Sequence, residues 1–234
     1  MAEAVWRLPQ VEVRFLQGAA AGLKQLVVAG GRPPALSWLQ QVAGDKKIYC
    51  ADKGVEACLA AGLFVEELYG DGDSGSAFAY EQALASGTRI HRFPPAKDDT
   101  DLQLVLQGIP CGDLLCSGVW GGRFDHLYSN IFSLLSYKLR QQVRVCLGDE
   151  QELLLLLAAG EAVELRLEQQ PLALSLLPLT ERTRVGLTGV QWALEQAELT
   201  MLHPYAISNV PEKRCSCSCS EGALGLYMAF GEEK

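Results

Sequence analysis

The chain of 234 residues has no lysine or arginine cluster, and its formal net charge is −8. A sequence-blind nucleic-acid binder shows a basic face to the phosphates, so this balance argues against that class. Long hydrophobic runs are also missing. The longest uninterrupted apolar stretch, Leu153 to Ala159, is far short of the roughly 18 to 20 residues that cross a bilayer, and no membrane helix is expected. The opening Met1-Ala2-Glu3-Ala4 has no basic-then-apolar signal pattern, so the expected location is cytoplasmic. Nor is there a Cys-x-x-Cys pair among the eight cysteines. Cys50, Cys58, Cys111, Cys116 and Cys146 sit in apolar surroundings and read as buried free thiols. Cys215, Cys217 and Cys219 alternate with serine. On a strand they share one face and span about 13 Å, too long for one zinc ion at Zn–S distances of about 2.3 Å, so a half-buried strand is expected there.

What the chain does have is a core-forming composition, 49% apolar, and acidic residues in three short bursts between Gly70 and Asp125. The first is Gly70-Asp71-Gly72-Asp73-Ser74. The second is Lys97-Asp98-Asp99-Thr100-Asp101, just after Pro94-Pro95, and the third is Gly121-Gly122-Arg123-Phe124-Asp125-His126. Each follows an apolar run and precedes a helical pattern, which in an open α/β sheet is the crevice beyond the carboxyl ends of the strands. Converging carboxylates repel by about 1 to 4 kcal/mol per close pair unless a cation separates them. Hard oxygen donors without a His/Cys cluster suit Mg²⁺, which binds through one or two carboxylates and substrate phosphates.

Along the chain, residues 1 to 24 read as an irregular opening. Strands are expected at 26–29, 47–51, 88–93 and 114–119, and helices at 35–42, 55–61, 77–86 and 102–107, the βαβ rhythm of a parallel sheet. The segment Gly70 to Gly75 matches Gly-x-Gly-x-x-Gly, but two aspartates would repel a pyrophosphate there, so a dinucleotide turn is rejected. Phe124, Leu127, Tyr128, Ile131, Leu134, Leu135 and Leu139 repeat at helical spacing, predicting a long helix with that stripe on the sheet. From residue 143 short apolar runs alternate with turn residues, predicting an all-β part. The expected organisation is a Rossmann-like, mostly parallel α/β domain over 1–142 and an antiparallel β-sandwich over 143–234.

Taken in order, these motifs resemble the thiamine pyrophosphokinase family. They are Ala51-Asp52-Lys53-Gly54, the three acidic bursts, Ser175-Leu176-Leu177-Pro178-Leu179, Thr188-Gly189-Val190-Gln191-Trp192 and Ile207-Ser208-Asn209. The resemblance implies a homodimer with active sites between subunits, and transfer of the pyrophosphoryl group of ATP to the hydroxyethyl oxygen of thiamine. It implies that Asp71, Asp73 and Asp98 hold Mg²⁺, that Asp101 and Asp125 complete the acidic site, and that Asp71 or Asp98 takes the hydroxyl proton. Asp52, Gly54, Lys97, Thr100, Gly121, Gly122, Arg123 and His126 then line the ATP side, and Trp192, Ser208 and Asn209 the thiamine side. Lys53, Gly72 and Gly75 depart from the family pattern. Two other readings stay open: a related enzyme acting on another primary alcohol, such as a hydroxymethylpterin, and a non-catalytic thiamine or nucleotide binder.

Overall fold

The computed structural model describes residues 4–17, 23–70, 76–94, 96 and 98–231. The chain divides into two compact units, one made of Met1–Gly22 with Glu150–Lys234, the other of Leu23–Asp149.

The first unit begins with an antiparallel hairpin of β1 (Ala4–Arg7) and β2 (Val11–Phe15). Leu8 and Val11 close its turn with backbone hydrogen bonds of 3.0 and 3.2 Å. This corrects the irregular opening expected from the sequence. Ala4, Trp6, Val11, Val13 and Phe15 occupy alternate positions and are buried, with the Trp6 and Phe15 rings edge to face at 5.0 Å. Strands of four and five residues are too short for that alternation to stand out in sequence.

The second unit alternates strand and helix throughout: β3 (Gln25–Val28), α1 (Leu36–Ala43), β4 (Lys47–Ala51), α2 (Gly54–Ala60), β5 (Glu67–Gly70), α3 (Ala77–Ala85), β6 (Arg89–Arg92), α4 (Asp101–Gly108), β7 (Leu114–Ser117), α5 (Phe124–Gln141) and β8 (Val145–Gly148). The six strands are parallel, in the lateral order β8-β7-β3-β4-β5-β6. Every residue of β3, β7 and β8 is buried, as expected of parallel strands covered on both faces. From β3 the chain steps outward to β6, then returns through α4 to β7 on the other flank of β3. That reversal creates a switch point between β3 and β7, where such sheets open a crevice.

Helix α5 departs from its expected packing. Leu134, Leu135, Tyr137 and Lys138 are buried, whereas Phe124, Tyr128 and Leu139 are exposed, Phe124 by 76%. Its 18 residues make a rod of about 27 Å, about twice the ~13 Å of a four-residue strand, so its first turns overhang the sheet.

The first unit resumes with β9 (Glu152–Ala158), β10 (Glu161–Leu167), β11 (Ala173–Pro178), β12 (Arg182–Val190), β13 (Leu194–Thr200), β14 (Pro211–Glu221) and β15 (Ala223–Ala229). These strands form an antiparallel sheet in the order β1-β2-β10-β14-β12-β13 and an antiparallel set β11-β15-β9. The run 143–147, expected among these strands, instead becomes β8, parallel to β7. The observed division therefore differs from 142/143 at both ends of the chain. Cys215, Cys217 and Cys219 bury alternate positions of β14, as expected, and burial pushes the Cys215 thiol up to about 11. All eight cysteines are free, but Cys111 is exposed rather than buried.

Candidate functional site

At the switch point the loops interlock through backbone contacts that only glycine permits. A Cβ on Gly31 would meet the Gly118 carbonyl oxygen at 2.5 Å, and one on Gly118 would meet that of Ala29 at 2.2 Å. The Gly31 amide donates to the Gly118 carbonyl at 2.6 Å, joining the ends of β3 and β7. Gly54 starts α2 against the Val28 carbonyl, where a Cβ would sit 2.1 Å from that oxygen. Asp52 lies in the left-handed region, φ 50°, between the ends of β3 and β5. Its amide donates to the Tyr69 carbonyl at 2.8 Å, and its carboxylate is 3.6 Å from where a Gly30 Cβ would be.

Of the expected acidic residues, Asp71 and Asp73 lie outside the described residues, as does Lys97. Asp98 is exposed ahead of α4, and Asp101 is the first residue of that helix. Thr100 caps it: its hydroxyl accepts from the Gln103 amide at 3.3 Å, and the Gln103 side chain accepts from the Thr100 amide at 2.8 Å. Gln103 also donates to Ser133 of α5 at 3.0 Å, tying the two helices together. Among the described residues no group of three His, Cys, Asp or Glu side chains is placed to hold a metal ion. Gly121 and Gly122 both take positive φ, 71° and 67°. Next to them Arg123 Nε donates to Asp125 at 3.1 Å, and this bond with the guanidinium charge holds the Asp125 carboxyl below its usual range. Asp125 is thus paired with Arg123 here, both side chains exposed, and its oxygen also caps the His126 amide at 3.0 Å.

In the other unit, Trp192, Ser208 and Asn209 do come together. Trp192 follows β12 and is 56% exposed. Asn209 is buried, and its side chain engages the Trp192 backbone on both sides: Oδ1 accepts from the Trp192 amide at 3.1 Å, and Nδ2 donates to the Trp192 carbonyl at 2.7 Å. Ser208, at φ 60°, donates its amide to the Ser175 hydroxyl at 3.0 Å.

The sequence reading missed two side-chain assemblies. Arg32, after β3, places Nε and Nη2 at 3.0 and 2.7 Å from one oxygen of buried Asp149, while its amide donates to the Trp120 carbonyl. A separation of 117 residues gives no local signal for such a pair. On β5 and β6, Glu67 accepts from Tyr69 at 2.7 Å and meets His91 and Arg89 at 2.8 and 2.6 Å, with the Tyr69 and His91 rings stacked at 4.3 Å. Alternation on adjacent parallel strands was the signal available for that cluster.

A parallel sheet with glycine-bound loops at its switch point defines an open α/β protein whose ligand crevice is expected between β3 and β7. The comparisons narrow that class. Residues 39–147 match the family model described as thiamin pyrophosphokinase, catalytic domain. The thiamine pyrophosphokinase of Bacillus subtilis is 27% identical over 204 residues, covering 85% of this chain and 94% of that protein. A crystal structure of the Bacillus subtilis enzyme superposes with a TM-score of 0.77 at 24% identity, over 89% of this chain and 100% of the other. A thiamin pyrophosphokinase family protein from Enterococcus faecalis gives 0.72 at 25% identity over the same shares. The thiamin pyrophosphokinase of Candida albicans, at 14% identity, shares the fold at 0.70 over 99% of each chain. The resemblance carried by the motifs is borne out: the family model, the curated protein and the crystal structure of the Bacillus subtilis enzyme that this chain is similar to are all thiamin pyrophosphokinases.

Proposed function

We propose that this protein transfers the β,γ-pyrophosphoryl group of ATP to the hydroxyethyl oxygen of thiamine, giving thiamine diphosphate and AMP. The observation that carries this reading is the gathering of the motif loops beyond the carboxyl ends of β3, β4 and β7, on either side of the switch point. In this reading the second unit is a Rossmann-like nucleotide domain and the first a β-sandwich that receives thiamine. The thiamine oxygen bonds to the β-phosphorus as the bond from that phosphorus to the α–β bridging oxygen breaks, and AMP departs. Asp71 or Asp98 takes the hydroxyl proton late in the step.

Gly121 and Gly122, without side chains at positive φ, leave room for phosphate to approach the backbone. Arg123 trades its Asp125 partner for a phosphate oxygen, a bidentate exchange suited to a guanidinium. Asp52, Gly54, Lys97, Thr100 and His126 complete the ATP side, with Asp101 and Asp125 adding to the acidic field. The donor set fits Mg²⁺, since Asp71, Asp73 and Asp98 offer only hard carboxylate oxygens. When bound, the ion neutralises charge between those carboxylates and the triphosphate. The exposed indole of Trp192 supplies a stacking platform for the thiamine pyrimidine. The working form is a homodimer with its active sites at the subunit interface, and the eight free cysteines suit a reducing, cytoplasmic setting.

The test is product identification after incubation with ATP, Mg²⁺ and thiamine, with and without EDTA. AMP formed one-for-one with thiamine diphosphate, only with metal and thiamine present, is the expected result. Asp71→Asn is expected to remove turnover while leaving the circular dichroism spectrum unchanged. Near-normal activity in that variant would sink the metal-site assignment, ADP in place of AMP would sink the leaving group, and AMP formed only with another alcohol would replace the acceptor.

A further inference from the structure

Trp192 combines two properties that pull against each other. Its ring is more than half exposed, so little packing holds it, yet a stacking platform works best when its orientation is fixed before the ligand arrives. What fixes it is the backbone beneath the ring. The Asn209 Oδ1 atom accepts from the Trp192 amide at 3.1 Å and from the Val210 amide at 2.9 Å, while Nδ2 donates to the Trp192 carbonyl at 2.7 Å. Both lone pairs of the Asn209 oxygen are therefore occupied by backbone. Asn209 is itself held on both sides, since its amide donates to the Leu174 carbonyl at 2.7 Å and its carbonyl accepts from the Leu174 amide at 2.9 Å. One residue back, the Ser175 hydroxyl takes the amide of Ser208. The Gln191 amide adds a further tie, to the Val210 carbonyl at 2.9 Å.

From this we infer that Asn209 is a positioning residue and not a thiamine ligand: it acts through Trp192, locking the backbone that carries the indole to β11. This inference rests on the proposed thiamine reading and assigns Asn209 a different part from the one its motif suggests. A side chain that contacts the substrate turns a polar group to solvent for it, whereas Asn209 is only 6% exposed, its acceptor is saturated by its own chain, and one of its two Nδ2 hydrogens is taken by the Trp192 carbonyl. The hydroxyl of Ser208 remains the group of this motif available to a ligand.

Two experiments separate this from direct binding. The chain has four tryptophans, and Trp6, Trp38 and Trp120 are buried, so acrylamide quenching and fluorescence anisotropy report chiefly on Trp192 in the protein without substrate. Asn209→Ala is expected to lower the anisotropy of the quenchable component, and so is Asn209→Asp, which sets a carboxylate oxygen against the Trp192 carbonyl in place of the donor. Unchanged anisotropy in both variants overturns the inference, whether or not the protein turns over thiamine.

The second readout is kinetic. Asn209→Ala and Trp192→Ala are each expected to raise the thiamine KM by roughly tenfold or more while the ATP KM stays within about twofold. The double variant is expected to be no worse than Trp192→Ala alone, because a residue acting through another has nothing left to act on. Multiplicative losses in the double variant would mean that Asn209 touches substrate, and would overturn the inference. Should Asn209→Ala fail to fold, the same comparison is made with Asn209→Asp. Wild type that handles no thiamine but shows the anisotropy change refutes the proposed function and leaves the positioning of Trp192 standing.

Discussion

A few residues in this protein have no tolerance because backbone, not side chain, lies against them. Gly54 is the clearest. An alanine methyl there would stand 2.1 Å from the Val28 carbonyl oxygen, with no flexible side chain to yield. Gly54→Ala is expected to cost about 3 kcal/mol, the upper end of ordinary overpacking, read from denaturant unfolding; a change below ~1 kcal/mol would mean that α2 shifts freely against β3. Glu67 is sensitive in another way. Burial raises its carboxyl, but the hydrogen bonds from Tyr69 and His91 and the Arg89 charge outweigh that and hold it below its usual 4.5. A carboxyl depressed in the folded state stabilises the fold above its unfolded pKa, and the contribution disappears as pH falls through the folded value. Thermal unfolding followed from about pH 6 to pH 3 should therefore show a steeper acid loss for wild type than for Glu67→Gln. Equal slopes would remove this cluster from the account of acid stability.

At the scale of elements, the capping box at the start of α4 makes a prediction free of any assumption about ligands. Thr100→Ala removes the hydroxyl that accepts from the Gln103 amide and is expected to cost about 1 kcal/mol, a drop of roughly 2–4 °C in Tm for a chain of this size. The motif Thr100-Asp101-Leu102-Gln103 could be read from sequence as such a box, since the cap and its partner lie three residues apart. The strand-and-helix rhythm from Leu26 to Leu139 was legible for the same reason: buried parallel strands are continuous apolar runs closed by glycine and aspartate, although β8 was expected in the all-β part. What sequence could not show was where a periodic face meets its partner. The stripe of α5 is real, but only strand length decides that Phe124 and Tyr128 overhang the sheet. The candidate site divides along the same line. Loop residues such as Asp52, Gly121 and Trp192 were legible as local motifs. The Arg32–Asp149 pair and the Asn209 clamp depend on contacts between distant segments and were not.

At the scale of the whole chain, residues 23–149 are inserted into a unit that starts before them and finishes after them. The opening hairpin pairs with β10 from Val163↔Phe15 to Leu167↔Val11, and it supplies Trp6, Val13 and Phe15 to that unit's core. Removing residues 1–17 should therefore damage the unit that carries Trp192 and leave the parallel sheet largely alone. The expected outcome is a lower Tm or loss of soluble protein, together with hydrogen exchange that rises across β10 and β14 far more than across β3 and β7. Equal protection in β10 with and without the hairpin would show it to be a dispensable appendage.

The same pairing sets the order of events during synthesis. Val13 and its partner Leu165 are 152 residues apart, 165 minus 13. At about 5–20 residues per second, roughly 8 to 30 s pass between their appearances. For that time the nascent hairpin holds Trp6 and Phe15 with no core to enter, while the inserted unit completes its own strands before β10 appears. Strands β1 and β2 are thus made long before the partner they pair with, and chaperone capture of the nascent chain should fall on them.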